Sequence, residues 1–442
     1  MISIATTART LGAVALVMIG SVTTPAAGWG GGASAATRNA SPTTPSSPTD
    51  RAIARAEARL KTKPADPSAK KALVAAYLQK VRESADPSYY GAVDKMLRSL
   101  GGATSNDPEV LLLQGTLLLA QHQFNQALAV GKRAAAMLPA NPSAQAILVD
   151  AYNELGRYDD ALAATQQMVD RRPDLAALSR VSYARELRGD VPGAIEAMQQ
   201  AVFAGPGRGE NTAYVQTLLA DLLLAQGNAS SAAVTYMAAL RSFPGFAAAR
   251  AGQAALLYAR GRPAEAAGLM EEVVTRQPLL HHVIAQGDYY RAAGMATQAR
   301  NTYALVDAII ALNRANGVDV DLDVAVFLAD QRPTASLLAT TRKALAKRPG
   351  VVGHDALAWV MHRLGMKQEA AAEIAKVVAV GDRDPLYRFH AAAIAAADGN
   401  RAEATTQLDV VLSGNPRRAG IRPEELARLA TELGRTVPPP AP

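Results

Sequence analysis

Six histidines, His122, His281, His282, His354, His362 and His390, are the side chains best suited to hold a metal or to move protons near neutral pH. His354, Asp355, His362 and His390 fall in neighbouring stretches near the C-terminus. A zinc site needs three or four ligands converging within about 2 Å of one ion. His354 and His362 sit eight positions apart on one predicted helix, about 12 Å of rise, and cannot share an ion. No Gly-x-Ser-x-Gly elbow occurs, and no carboxylate pair stands out from the helix faces. A metal-dependent hydrolase using the C-terminal histidines is thus a remote alternative. The expectation is a non-catalytic protein with no cofactor and no metal site.

Two other motifs resemble sites without completing them. Asp319, Asp321 and Asp323 alternate as in a calcium loop, but the glycine and the later glutamate of an EF-hand are missing. They read as a solvated loop and helix start. The run Gly205-Pro206-Gly207-Arg208-Gly209-Glu210 looks like a phosphate cradle, but no strand precedes it and no Gly-Lys-Ser/Thr follows. There is no cysteine, which excludes disulfides, a thiol nucleophile, Cys-ligated zinc and an acylated lipoprotein anchor. The net charge is +7, from 46 Lys+Arg against 39 Asp+Glu, and the charges are interspersed. A nucleic-acid binder would gather its basic residues on one face, so no nucleic-acid partner is expected.

The elements that must position these residues follow a ladder. Gly156, Gly189, Gly227, Gly261, Gly294, Gly365 and Gly399 recur at steps of 33 or 34, with one of 38 and one double step of 71. Five positions after each comes an alanine: Ala161, Ala194, Ala232, Ala266, Ala299, Ala370 and Ala404. Pro173, Pro206, Pro244, Pro278 and Pro416 follow twelve positions later. A fixed period in this range marks a solenoid of stacked helix pairs, and 34 is the tetratricopeptide (TPR) period. In the reference unit Pro142 opens a first helix, Gly156 ends it in a left-handed corner, and Asp159 can cap a second helix that Pro173 stops. Ala161 is small because the antiparallel pair approaches closest there. His122 occupies a glycine slot and reads as a helix terminator, since histidine visits the left-handed region more readily than most residues. The double step holds a degenerate unit in which Asp330-Gln331-Arg332 replaces the glycine corner.

Residues 1–35 read as a secretory signal: Arg9, an apolar run from Leu11 to Val22, and a small-x-small site at Ala33-Ser34-Ala35. That run is too short to span a bilayer. Residues 36–50 are rich in Ser, Thr and Pro and predict a disordered tether. Residues 51–106 predict helices with an imperfect repeat, 107–416 the repeat array, and 417–442 a terminal capping helix with a disordered tail. The predicted fold is all-α, a right-handed solenoid of nine to ten repeats. The mature chain is expected outside the cytoplasm, with no integral membrane span after signal cleavage.

The segments LLLAQHQFNQAL (117–128), ELGRYDDAL (154–162), SYARELRGD (182–190), DLDVAVFLADQ (321–331) and HDALAWVMHRLG (354–365) carry a resemblance to TPR proteins. More narrowly, the chain resembles long secreted or lipid-anchored bacterial TPR proteins, although without cysteine the lipid anchor does not carry over. The resemblance implies a scaffold that binds a peptide or protein partner in a concave groove lined by the first helix of each unit. The groove candidates are Asp150, Asn153, Arg180, Tyr183, Glu186, Tyr214, Asp221, Tyr258, Asp288, Arg291, Trp359, His362, Arg363 and Phe389. Aromatic residues and arginine are common interface anchors. The alternative class is a structural cell-envelope protein acting by self-association.

Overall fold

The computed structural model describes residues 47–442; the signal segment and residues 36–46 lie outside the described residues, while Pro48–Asp50, expected at the end of the disordered tether, open the first helix with Ser47 as its cap. Among the described residues, twenty-two α-helices and one 3-10 turn form an all-helical, right-handed α-solenoid. The N-terminal helices are α1 (Pro48–Thr62), α2 (Pro67–Ser84) and α3 (Tyr89–Ser99). Nine antiparallel pairs follow. They are α4 (Pro108–Ala120) with α5 (Phe124–Met137), α6 (Pro142–Glu154) with α7 (Tyr158–Arg171), and α8 (Leu175–Leu187) with α9 (Val191–Ala204). Next come α10 (Glu210–Ala225) with α11 (Ala229–Ser242), α12 (Ala247–Ala259) with α13 (Pro263–Arg276), and α14 (Leu280–Ala292) with the long α15 (Ala296–Ala315). The last are α16 (Asp321–Gln331) with α17 (Ala335–Lys347), α18 (Val351–Arg363) with α19 (Lys367–Val380), and α20 (Pro385–Ala397) with α21 (Arg401–Ser413). A final helix, α22 (Pro423–Leu433), closes the chain.

Local chemistry sets these boundaries. Asn141 accepts from the Ser143 amide at 2.8 Å and Pro142 occupies the first turn, so α6 starts where a donorless residue costs nothing. Gly156 takes φ +68° at the corner, and His122 takes +58° at the equivalent place. The ladder alanines sit in the tight pair contacts: Ala194, Ala232, Ala266, Ala370 and Ala404 are fully buried. In the degenerate unit α16 and α17 are joined through Arg332-Pro333-Thr334, and Thr334 caps α17 by accepting from the Leu337 amide.

First and second helices bury themselves differently. Ten of thirteen residues of α6 are buried, against four of fourteen in α7. In α14 the count is eleven of thirteen, against four of twenty in α15. A helix covered all round has neighbours on every side, whereas one with a single buried stripe forms an outer wall.

The covering comes from the chain itself. Between five and six helix pairs complete one superhelical turn, and the next turn rests on its edge. Bonds across this seam join residues 193 to 197 apart, including Gln121 Nε2 to the Asn316 carbonyl at 3.2 Å and the Val351 amide to the Tyr158 hydroxyl at 2.7 Å. The seam continues with the Asn415 amide on the Ala225 carbonyl at 3.0 Å. At its other end Gln277 Nε2 donates to the Glu83 carbonyl at 2.8 Å. The C-terminal tail, expected to be loose, is held to the α12–α13 corner by the Ala441 amide on the Ala259 carbonyl and by Arg260 Nε on the Pro442 carbonyl. Helix α22 turns inward and buries Leu426, Leu429 and Leu433 in the main core, with Glu424 paired to Arg291 at 2.8 Å.

The corner at Gly156 carries two constraints. Besides its positive φ, a Cβ there would lie 2.4 Å from the Pro349 carbonyl of the next turn, while the corner at Gly294 has the same conformation and open space. Gly294→Ala is expected to cost about 1–2 kcal/mol from left-handed strain alone. Gly156→Ala should cost measurably more in denaturant melts, because the seam must separate; equal costs would show that the turns do not touch there.

Candidate functional site

Eight of the fourteen groove candidates are buried and none of the others is exposed. A tight superhelix draws the first helices together, and their polar side chains meet one another. Arg180 on α8 donates to both carboxylate oxygens of Asp150 on α6, at 2.9 and 2.7 Å. Burial pushes the Asp150 carboxyl up to about 6, with Arg180 pulling the other way. Asp288 is likewise pushed up to about 6 by burial; it accepts from the Tyr303 hydroxyl at 2.6 Å and from the Gly420 amide at 3.3 Å. Asp221 accepts from the Tyr236 hydroxyl at 2.5 Å, and Arg291 pairs with Glu424. Asn153 and Glu186 are buried, and Tyr183 and Tyr214 are half-buried. Tyr258 packs on Tyr289 with ring centres 4.8 Å apart.

In the C-terminal units Trp359 organises a stack. Its ring stacks with His390 (4.0 Å) and with His362 (4.9 Å), with the Arg363 guanidinium 5.4 Å away and Phe389 at 6.1 Å. The Trp359 indole N–H donates to Asp330 at 3.0 Å, and His390 Nδ1 lies 2.8 Å from Asp355. Burial holds the His362 ring down at about 4, so it stays neutral at physiological pH. Asp330, read from sequence as the place of a missing glycine corner, is a hub that also receives Arg363 at 3.1 Å. Among the described residues no group of three or more His, Asp or Glu is placed to hold a metal ion.

The densest buried charge lies on the seam. Arg348 Nε meets Glu154 at 2.6 Å and its Nη1 meets Asp323 at 3.1 Å, with the Phe124 ring 5.2 Å from the guanidinium. His122 Nδ1 lies 2.9 Å from Asp323 and 2.9 Å from the Asp319 carbonyl. Asp323 is therefore buried and paired across two turns, a correction to its reading as part of a solvated helix start. Asp319 and Asp321 pair with Lys347 and Arg314 nearer the surface. Sequence reasoning missed the seam because its partners are so distant along the chain. One signal was present: Gly317, Gly350, Gly381 and Gly414 recur at the junctions between pairs, where the turns meet.

Burial alone would lower the His122 pKa and raise that of Asp323, but each charge holds the other: the His122 ring is raised above its ordinary value and the Asp323 carboxyl is held far below its own. The protonated ring therefore contributes stability that is fully present below an unfolded-state pKa of about 6.5 and is lost as pH rises through the elevated folded value. In guanidinium melts from pH 6 to pH 9 the wild type should lose stability relative to His122→Asn, which keeps a residue tolerant of the left-handed corner. A pH-independent difference would place the charge elsewhere. Asp323→Asn should cost about 3 kcal/mol at pH 7, since it breaks a buried pair while leaving both cations in place.

One stretch of the concave side stays uncovered. A cavity of about 820 Å³ lies between α2, α10, the α13–α14 junction and α15. Tyr214 and Asp221 are the groove candidates that line it; the others lie elsewhere. No helix among the described residues is long and apolar enough to cross a membrane.

Residues 118–181 and 217–280 each match a family model described as a tetratricopeptide repeat. Helix pairs of the same kind run through the rest of the array, the α16–α17 unit without the glycine corner, and the matched stretches are tetratricopeptide repeats within it. Among solved structures the chain is similar to a thermophilic TPR protein of Thermus thermophilus, at 24% identity over 38% of this chain and 91% of that one, with a TM-score of 0.35. PilW, a type IV pilus biogenesis factor, aligns at 17% identity over 46% and 94%, with a TM-score of 0.38. The human IFIT1 dimer with PPP-AAAA aligns at 13% identity over 81% and 85%, with a TM-score of 0.45. Likenesses of this size say nothing of function. No curated protein matches the chain.

Proposed function

We propose that this TPR protein acts outside the cytoplasm as a non-catalytic scaffold whose protein partner seats on the outer wall made by the second helices. The extracytoplasmic placement rests on the N-terminal signal pattern. The choice of surface rests on one observation. Among the described residues, every large apolar side chain left exposed lies on a second helix: Met137 on α5, Leu162 on α7, Phe203 on α9, Val234 and Met237 on α11, and Leu305 and Leu312 on α15. Phe203 is 94% exposed, at the end of α9. Exposed aromatic and methionine side chains favour an interface, where a partner removes them from water. Most of the first-helix candidates are engaged within the chain, as in the Asp150–Arg180 pair, so a partner would have to break buried ion pairs to use them.

Phe203→Glu and Met237→Glu, each on an exposed surface, should leave the thermal midpoint unchanged and lower partner capture in crosslinked pull-downs from the source cells by about tenfold or more. Light scattering of the purified wild type then tells whether that partner is a second copy. Full capture by both variants rejects the outer wall as the interface.

A further inference from the structure

The 820 Å³ cavity has the size of a small-molecule site, and its walls are mainly apolar. Ala72, Ala75, Leu78 and Val81 of α2 face Leu218 of α10 and Ile309 of α15. The charged groups set into these walls are engaged within the chain. Arg82 pairs with Glu210 at 2.7 Å, Asp323 with His122 and Arg348, and Asp221 with Tyr236; Arg208 is exposed at the rim. Three buried polar atoms break the pattern. Arg82, its charge already met by Glu210, has no hydrogen-bond partner for Nε; His281, 3% exposed, has none for Nδ1, and His122 has none for Nε2; all three side chains line the cavity. Buried polar groups are nearly always satisfied, and an orphan in a binding-sized cavity points to a group supplied from outside.

We infer that this cavity is a binding site for an uncharged lipophilic molecule carrying a hydroxyl group. The apolar walls select the body of the ligand. A ligand ion would enter walls whose charges are already compensated and would lose hydration without gaining a partner, so the head group is neutral. Burial and the neighbouring His282 hold the His281 ring neutral, and a neutral imidazole nitrogen either donates or accepts according to its tautomer. A hydroxyl does both and satisfies either form, whereas an ether or ketone satisfies only one. Of the outer-wall residues only Leu312 also lines this cavity, and the site does not depend on the partner proposed for that wall.

The test uses the purified full-length protein and Nile red, with 1-decanol, decanoate and decane as competitors at concentrations below aggregation. Nile red should bind saturably at one site per chain, and decanol should displace it at least tenfold better than decanoate. Ala75→Trp on α2 and Ala248→Trp at the start of α12, both lining the cavity, should each abolish binding while the far-ultraviolet circular dichroism melt is kept. His281→Phe should reduce the preference for decanol over decane by about fivefold, the worth of one neutral hydrogen bond. Absence of saturable binding overturns the site, as does undiminished binding by a folded variant with either tryptophan. Displacement by decanoate as good as by decanol overturns the assignment of an uncharged ligand. An unchanged preference in His281→Phe overturns the role given to the hydroxyl.

Discussion

The Arg348 guanidinium, held between Glu154 of one superhelical turn and Asp323 of the next, is the contact on which the rest of the molecule depends. A TPR array needs only nearest-neighbour contacts to exist. Here the turns also touch, and a charge buried between them must keep both partners or be left unpaired in a region without water. Such an interaction tolerates few alternative spacings. It defines how tightly the solenoid winds and makes an extended rod into a closed body.

Tight winding explains the inner side chains. The polar groups of the first helices stand close enough to satisfy one another, as Asp150 does with Arg180, Asp355 with His390, and Asp330 with Trp359. They now hold neighbouring units in register. Their large desolvation cost is met only because partners are within 3 Å, so these groups make the inner face specific without adding much net stability. The apolar surface that a partner could use is left on the outside, and one stretch of lumen near α2 stays open.

Much of this was legible in the residues. The corner glycines, the alanines five positions on and the proline stops gave the pair boundaries, because turn conformation and close helix approach are local demands. His122 was legible as a corner for the same reason. Its second task, meeting Asp323, was not, since nothing in a window of a few dozen residues encodes a partner two hundred positions away. The groove candidates were read from the resemblance to open TPR arrays, in which first-helix residues face solvent. The same residue types stand at the same helical positions here, and only the pitch of the superhelix decides whether they face a partner or one another.

The recurrence of seam contacts at nearly constant separation also ties the number of repeats to the shape. Removing or duplicating one helix pair between Gly156 and Gly350 would carry every corner past its opposite junction by a full unit, as a thread is lost when one tooth of a gear is missing. Glu154 would then meet a different pair's junction and Arg348 a different corner, with no charge to match. Open solenoids can lengthen or shorten by whole units in evolution; a chain whose coils are keyed to each other has its length set by phase.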